Sequence, residues 1–367
     1  MTVPGADRAT RGGGPRLRAD LVDQEPYLAP QVDAPVPLNT NECPYPLPPA
    51  FTRHLEKELA RIEFNRYPDR EVLELRTRLA DHTGHPVEGV WAANGSNEII
   101  QQLCLAYGGP GRRALVFQPT FHLHSLIPRV TGMEVVAERL GRGFALGPEA
   151  AGACARHRPD VTFVCSPNNP TGNAQSLDEV AAVCRETGAG LVIVDEAYGE
   201  FGGESAVALL PHHPNLVVTR TFSKAFALAA ARIGYCLADP GVIAGLARVR
   251  LPYHLSAMSQ VAGVVALRYA GDAAAILDRV RSQRDRLVER LARIDGVEAF
   301  RSDANFVLFR TGREGRALWS ALVDRGVLVR DVSAGPGLER CLRVTAGTPE
   351  ETDAFLAALP GAVEAAA

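Results

Sequence analysis

Val192-Ile193-Val194-Asp195-Glu196-Ala197-Tyr198 is the stretch whose reading decides the fold. Three β-branched apolar residues in a row read as a strand buried on both faces, the pattern of a parallel sheet. Asp195 falls where that strand ends, the usual place for ligand groups in an open α/β sheet. The same position suits a helix N-cap, so the carboxylate has two readings. Working outward, Val161-Thr162-Phe163-Val164-Cys165 is a second strand, running into the turn-forming Ser166-Pro167-Asn168-Asn169-Pro170-Thr171-Gly172. Ala114-Leu115-Val116-Phe117 precedes it and Val217-Val218-Thr219 follows. From Val72 to about Leu210 such runs alternate with helical patterns, which predicts an α/β domain with a mostly parallel sheet wrapped by helices.

The chemistry lies at the ends of those strands. Thr221-Phe222-Ser223-Lys224 is followed eight positions later by Arg232. A lysine among hydroxyls with a nearby arginine is the set that pyridoxal phosphate needs. The amine forms a Schiff base with the cofactor aldehyde, while Thr221, Ser223 and Arg232 hold its dianionic phosphate. Asp195 can pair with the pyridine nitrogen, and Tyr198 can reach the ring's 3-oxygen. Asn169 offers an amide donor to that same phenolate oxygen. Gly95-Ser96-Asn97 opens an apolar helical segment, Ile99 through Ala106, and backbone N–H groups at Ser96 and Asn97 suit a phosphate. Each segment alone has a plainer account: a loop lysine, a strand-end cap, an Asn-Pro turn, an ordinary helix cap. Their order along one chain is what joins them.

That order resembles the fold-type I aminotransferases of class I/II, and the finer likeness is to histidinol-phosphate aminotransferases. Leu38-Asn39-Thr40-Asn41-Glu42, Asn65-Arg66-Tyr67-Pro68-Asp69, Val90 to Glu98, Val249 to Ser256, Ser302 to Val307 and Leu342 to Thr348 carry it. The resemblance spans about residues 16–358. It implies that Lys224 is the attachment and proton-transfer lysine, with an amine and a 2-oxo acid, such as 2-oxoglutarate, as substrates. It implies that Phe121 stacks on the ring where a tyrosine is usual. It implies that Tyr67 reaches the cofactor phosphate of a neighbouring subunit, hence a homodimer with shared sites. Tyr45, Arg330 and Arg343 fall at substrate-binding positions, and two arginines suit a phosphate in one half-reaction and a carboxylate in the other. Several residues depart from the pattern. Cys43 stands for an asparagine, Ala227 and Ala230 for glycines, and Phe121-His122-Leu123-His124 for a Tyr-Ser-Met-His type of wall. Three readings follow: a histidinol-phosphate aminotransferase of histidine biosynthesis, an aminotransferase for aromatic or other amino acids in a specialised pathway, or a decarboxylase of a phosphorylated amino acid.

The chain has 367 residues, enough for one large and one small core. A net charge of −3 carries no nucleic-acid signal. No apolar run approaches the ~20 residues of a membrane span. Seven scattered cysteines suggest free thiols in a reducing cytoplasm. His82-x-x-His85 and His122-x-His124 lack cysteine or carboxylate partners at ligand spacing, so both read as surface or wall residues and no metal is expected. The expected organisation is a flexible leader over 1–20, an arm over 21–50 that joins the small domain, a large cofactor domain over 51–258, and over 259–367 a bridging helix from Ser259 to about Ile294 with a C-terminal α+β domain whose strands fall at Phe306 to Phe309, Val327 to Arg330 and Cys341 to Val344.

Overall fold

A computed structural model of the chain describes residues 15–22, 24 and 32–366. The leader and part of the arm expected from sequence, residues 1–14, 23 and 25–31, lie outside the described residues. The chain divides into two units, Met1–Val32 and Asp33–Ala367. Within the described part of the first, Ala19–Leu21 forms a 3-10 turn beside an Arg18–Asp20 ion pair.

In the second unit the strands are β1 (Val36–Pro37), β2 (Val90–Ala93), β3 (Arg113–Gln118), β4 (Glu134–Arg139), β5 (Val161–Cys165), β6 (Leu191–Asp195), β7 (Leu216–Thr221), β8 (Gly234–Ala238), β9 (Val297–Ala299), β10 (Phe306–Thr311), β11 (Val327–Leu328), β12 (Arg330–Asp331) and β13 (Cys341–Thr345). The helices are α1 (Pro49–Leu59), α2 (Leu73–Thr83), α3 (Ser96–Tyr107), α4 (Leu123–Val130), α5 (Gly147–His157), α6 (Leu177–Thr187), α7 (Pro240–Leu246), α8 (Ala257–Leu267), α9 (Ala270–Leu291), α10 (Gly315–Val323) and α11 (Pro349–Ala365).

Seven strands form the main sheet in the order β2-β8-β7-β6-β5-β3-β4. Strands β3 to β7 pair in parallel, and β8 runs antiparallel to both β2 and β7. Every residue of β5 and β6 is buried. Their alternate side chains enter two separate apolar layers. Val192 and Val194 pack with Leu115 and Phe117 in one, while Leu191 and Ile193 pack with Val116 and Phe163 in the other. That is why the run lacks the apolar-polar alternation of a half-exposed strand. Each fully buried valine or isoleucine contributes about 1.5–3 kcal/mol relative to exposure.

A second sheet, in the order β12-β13-β10-β9, is antiparallel throughout. The parallel pair β1–β11 then draws residues 36–38 against it. Leu38 N–H donates to Leu328 O at 2.8 Å, and Thr345 N–H donates to Leu38 O at 3.0 Å.

Two expectations from sequence need correction. The single helix over about 259–294 is instead α8 and α9, bent by 79° at Arg268-Tyr269. Tyr269 forces the break: its hydroxyl donates to Ala50 O at 3.1 Å and its ring packs edge-on to Phe51 of α1. The strand expected over Val327–Arg330 divides at Val329, so that β11 serves β1 and β12 serves β13. Among the described residues no single helix is long and apolar enough to cross a membrane.

Candidate active site

Strands β5 and β6 end side by side, and β7 runs two residues further. Cys165 lies opposite Asp195, and Asp195 opposite Thr219, so three side chains meet at one sheet edge. Asp195 is 3% exposed. Its Oδ1 accepts from Ala197 N–H at 3.1 Å and from the Thr219 hydroxyl at 3.4 Å. Its Oδ2 lies 2.9 Å from His124 Nε2, whose N–H donates to it. His124 is fully buried, stacked on Phe163 and capped edge-on by Phe121. Asp195 is thus held on both oxygens by groups that fix its direction.

Lys224 follows β7. Its ammonium lies 6.0 Å from the centre of the Tyr198 ring and donates to Thr40 O at 2.8 Å. Burial lowers the Lys224 pKa to about 7, and the nearby Arg343 and Arg232 add to that against the pull of Glu42. Tyr198 is 5% exposed and edge-on to Phe306. Burial pushes its phenol up to about 12, with Arg343 and an Asn41 hydrogen bond pulling back, so at neutral pH it keeps its proton and can donate.

An anion cradle lies beside this cluster. Helix α3 begins at Ser96 after Gly95, which sits at φ 87°. A Cβ on Gly95 would lie 2.7 Å from Arg232 Nη2, so only glycine admits the guanidinium to the helix start. Arg232 Nη1 donates to Ser223 Oγ at 3.2 Å, and Thr221 Oγ1 donates to the same oxygen at 3.0 Å. First-turn N–H groups at Ser96 and Asn97, two hydroxyls and a guanidinium suit a dianionic phosphate. With a buried carboxylate and a lysine of lowered basicity alongside, the residues fit pyridoxal phosphate.

The facing wall carries two of the residues expected from sequence to bind substrate, Arg343 and Arg330. Arg343 is directly opposite Arg330 across the β12–β13 pair. Its Nη1 donates to Asn169 Oδ1 at 2.5 Å and its Nη2 to Asn39 O at 2.7 Å. Like charges directly opposite each other on a strand pair give this wall a positive field. The basicity of His122 is lowered by partial burial and by the charges of Arg129 and Arg330, which puts its ring in the same cationic field. Tyr45 is buried with the Arg279 guanidinium 3.6 Å above its ring. Cys43 donates to Tyr45 O at 3.4 Å. Tyr67 instead is 79% exposed and stacks on Tyr253 with centroids 4.3 Å apart.

Sequence reasoning placed His124 at the surface or wall, without ligand partners. The fold gives it two, because Asp195 and Cys165 lie within 4.8 Å of it. Burial drives the Cys165 thiol far above its ordinary range, so with no cation beside it the thiol stays neutral. The Asp195 oxygens are already engaged. Asn41 carries no site role in the sequence reading, yet its neighbours Thr40 and Asn39 touch Lys224 and Arg343. The signal was the pair of asparagines in Asn39-Thr40-Asn41, residues that tolerate left-handed backbone.

The family described as aminotransferase class I and II matches residues 34–359. A histidinol-phosphate aminotransferase of Frankia casuarinae is 50% identical over 94% of this chain and 89% of its own length. One from Thermobifida fusca is 47% identical over 94% of both chains. Among solved structures, histidinol-phosphate aminotransferase from Sinorhizobium meliloti in complex with pyridoxal-5'-phosphate superposes with a TM-score of 0.84 at 24% identity, covering 91% of this chain and 92% of that one. L-threonine-O-3-phosphate decarboxylase from Porphyromonas gingivalis gives 0.79, also at 24%, over 90% of this chain and 99% of that one. At such identities the structural likeness is one of fold. With the family matched over nearly the whole described core and the residues fitting its cofactor, the chain belongs to the class I and II aminotransferases and is a pyridoxal-phosphate-dependent enzyme.

Proposed function

We propose that this enzyme transfers the amino group of histidinol phosphate to 2-oxoglutarate, a step of histidine biosynthesis. One observation carries the choice of amine: Arg330 and Arg343 face each other on adjacent strands at the site wall. Two guanidinium groups suit a dianionic phosphate in one half-reaction and a carboxylate in the other. The names of the Frankia and Thermobifida relatives support the same substrate.

When bound, pyridoxal phosphate supplies an aldehyde that accepts the amine and a protonated ring that withdraws electrons from the substrate Cα. Lys224 is the group to hold the cofactor and to carry the Cα proton. Its basicity near pH 7 matches that work, because a general base is most effective with a pKa near the working pH. Asp195 would hold a proton on the ring nitrogen, with His124 keeping the carboxylate aimed. Tyr198 and Asn169 would donate to the 3-oxygen, and Phe121 would supply an apolar contact to the ring. Ser96, Asn97, Thr221, Ser223 and Arg232 anchor the phosphate. Tyr45 and the two arginines seat the substrate.

The dimer reading rests on Tyr67. It lines an exposed apolar groove with Ile62, Phe64, Tyr253 and Met258, a volume of about 570 Å³. A second copy covering that groove brings Tyr67 to the phosphate of its neighbour. The domain reading takes the seven-stranded sheet as the cofactor domain and the four-stranded sheet, with β1 and β11, as the substrate domain. All seven cysteines are free, in keeping with a cytoplasmic setting.

The test is a substrate screen with 2-oxoglutarate as acceptor. Histidinol phosphate should exceed histidinol by ~100-fold in kcat/KM, or about 2.7 kcal/mol. Faster reaction of phenylalanine or tyrosine would assign the enzyme to aromatic amino acids. Carbon dioxide released from a phosphorylated amino acid, with no transfer to the acceptor, would make it a lyase.

A further inference from the structure

Asn41 is 1% exposed and sits at φ 54°, in the left-handed region. Four hydrogen bonds surround it. Its backbone N–H donates to Thr345 Oγ1 at 3.1 Å, and that hydroxyl donates to Asn41 Oδ1 at 3.2 Å. Asn305 Nδ2 donates to its carbonyl at 3.0 Å. The remaining group, Asn41 Nδ2, donates to Tyr198 Oη at 2.9 Å. The first three fix Asn41 itself. The Thr345 hydroxyl on Oδ1 sets the amide so that Nδ2 faces the phenol. Only the fourth bond reaches the reaction site.

A phenol has one proton to give and lone pairs to receive. With Asn41 donating to its oxygen, the Tyr198 proton is left for another acceptor. We propose that Asn41 is a positioning residue that turns the Tyr198 proton toward the cofactor's 3-oxygen and ties that donation to the seating of residues 39–41. The same three residues carry the carbonyls that receive Lys224 and Arg343. Thr345, in turn, lies on the strand that bears Arg343. One short segment therefore reads both the substrate arginine and the cofactor's tyrosine. The inference rests on the proposed place of Tyr198 at the cofactor ring. The charged and titratable groups facing Tyr198 are Arg343 from β13, Cys165 and Asp195 from β5 and β6, and Lys224 after β7.

A donor on the 3-oxygen stabilises the deprotonated chromophore most, because the oxygen's charge is then uncompensated. Weakening that donor makes the chromophore hold its proton to higher pH. Asn41→Asp keeps the side-chain size, tolerates the positive φ and replaces the donor by an acceptor that draws the Tyr198 proton to itself. The experiment is a spectrophotometric pH titration of the visible band of the holoenzyme. Asn41→Asp should move the midpoint up by about one pH unit, a tenfold change in proton affinity. Asn41→Gly, which admits the same positive φ and removes the amide donor together with its Thr345 bond, should move it the same way by less and decides the matter if the aspartate variant does not fold. In a Tyr198→Phe background Asn41→Asp should add almost nothing, since the two act as one unit. An unchanged midpoint with an intact band overturns the inference. So does a shift of full size surviving in the Tyr198→Phe background, which would make it a direct charge effect. Wild-type protein with no lysine-bound band would instead overturn the site reading, and the inference with it.

Discussion

The two walls of the site are put together from different kinds of sequence. On the cofactor wall, Cys165, Asp195 and Thr219 sit side by side in register at or near the ends of three parallel strands, and Lys224 follows the last within five residues. On the substrate wall, Arg343 reaches Asn39, 304 positions away, and lines up with Arg330 only through the β12–β13 pairing. A sheet edge delivers side chains by strand position, so the cofactor wall depends on local order. The substrate wall depends on how the second sheet and residues 36–45 are drawn together. Damage to the first should abolish chemistry on every substrate. Damage to the second should change which substrate is taken.

The sharpest break is at Lys224. Lys224→Ala should remove the borohydride-reducible lysine adduct and lower kcat by at least ~10⁴-fold, about 5.5 kcal/mol, on every amine tried. Mass spectrometry of the reduced protein checks it, and cofactor found on another lysine would redraw this wall. The wild-type apoprotein adds a pH test. With the Lys224 pKa lowered to about 7, the amine is charged and unreactive below that value and free above it. The rate of covalent cofactor uptake should therefore rise through about pH 7 and flatten above it. A rise only near the ordinary lysine range would mean that burial does not set its basicity.

Asp195→Asn should come next. Cofactor binding should persist, because the phosphate cradle is untouched. Removal of the Cα proton should slow by about 3–4 kcal/mol, or ~10²–10³-fold, for histidinol phosphate and glutamate alike. Stopped-flow half-reactions measure both. A loss confined to one substrate would contradict the division between the walls.

The substrate wall gives the converse. Arg330→Ala should lower kcat/KM for the phosphorylated amine by ~30–100-fold, about 2–2.7 kcal/mol, and for glutamate by much less. Arg343→Ala should impair both, since both carboxylate and phosphate meet it. Equal losses from Arg330→Ala in the two half-reactions would mean that it supports the fold of the wall and not the choice of amine.

The same division explains what was legible in the chain. β5, β6 and β7 read as strands because their residues are almost all buried, and Asp195 at the end of β6 and Lys224 just after β7 fall into place by simple counting. The split of residues 327–331 between two sheets and the bend at Tyr269 depend on partners more than 200 positions away, and the Arg330–Arg343 pairing, only 13 positions apart, depends on a strand register that no local pattern carries. His124 is the instructive case. Its sequence neighbourhood offers no carboxylate, yet its partner Asp195 lies 71 positions on and 2.9 Å away. Strand order, unlike strand presence, is set by packing, and the antiparallel β8 likewise left no mark in its own residues.

The smallest effect tests the cofactor wall at one of its left-handed residues. Ala227 and Ala230 both stand where the family pattern expects glycine, but the backbone treats them differently. Ala227 sits at φ 53°, while Ala230 lies in an exposed 3-10 turn, Ala229–Ala231. A left-handed alanine costs about 1–2 kcal/mol. Glycine there relieves the strain and adds back about 0.4–1 kcal/mol of chain entropy in the unfolded state. Ala227→Gly should thus stabilise the protein by roughly 0.5–1 kcal/mol net. Ala230→Gly has no strain to relieve and should destabilise by roughly 0.5–1 kcal/mol. Thermal melts at one saturating cofactor concentration, which holds the binding contribution fixed, should show Tm moving in opposite directions by about 1–3 °C. Opposite signs from two identical substitutions three residues apart would show that the loop behind Lys224 is governed by backbone conformation. Equal signs would mean that the methyl groups matter through packing, and that the segment between Lys224 and Arg232 is shaped by its neighbours in space, as the substrate wall is.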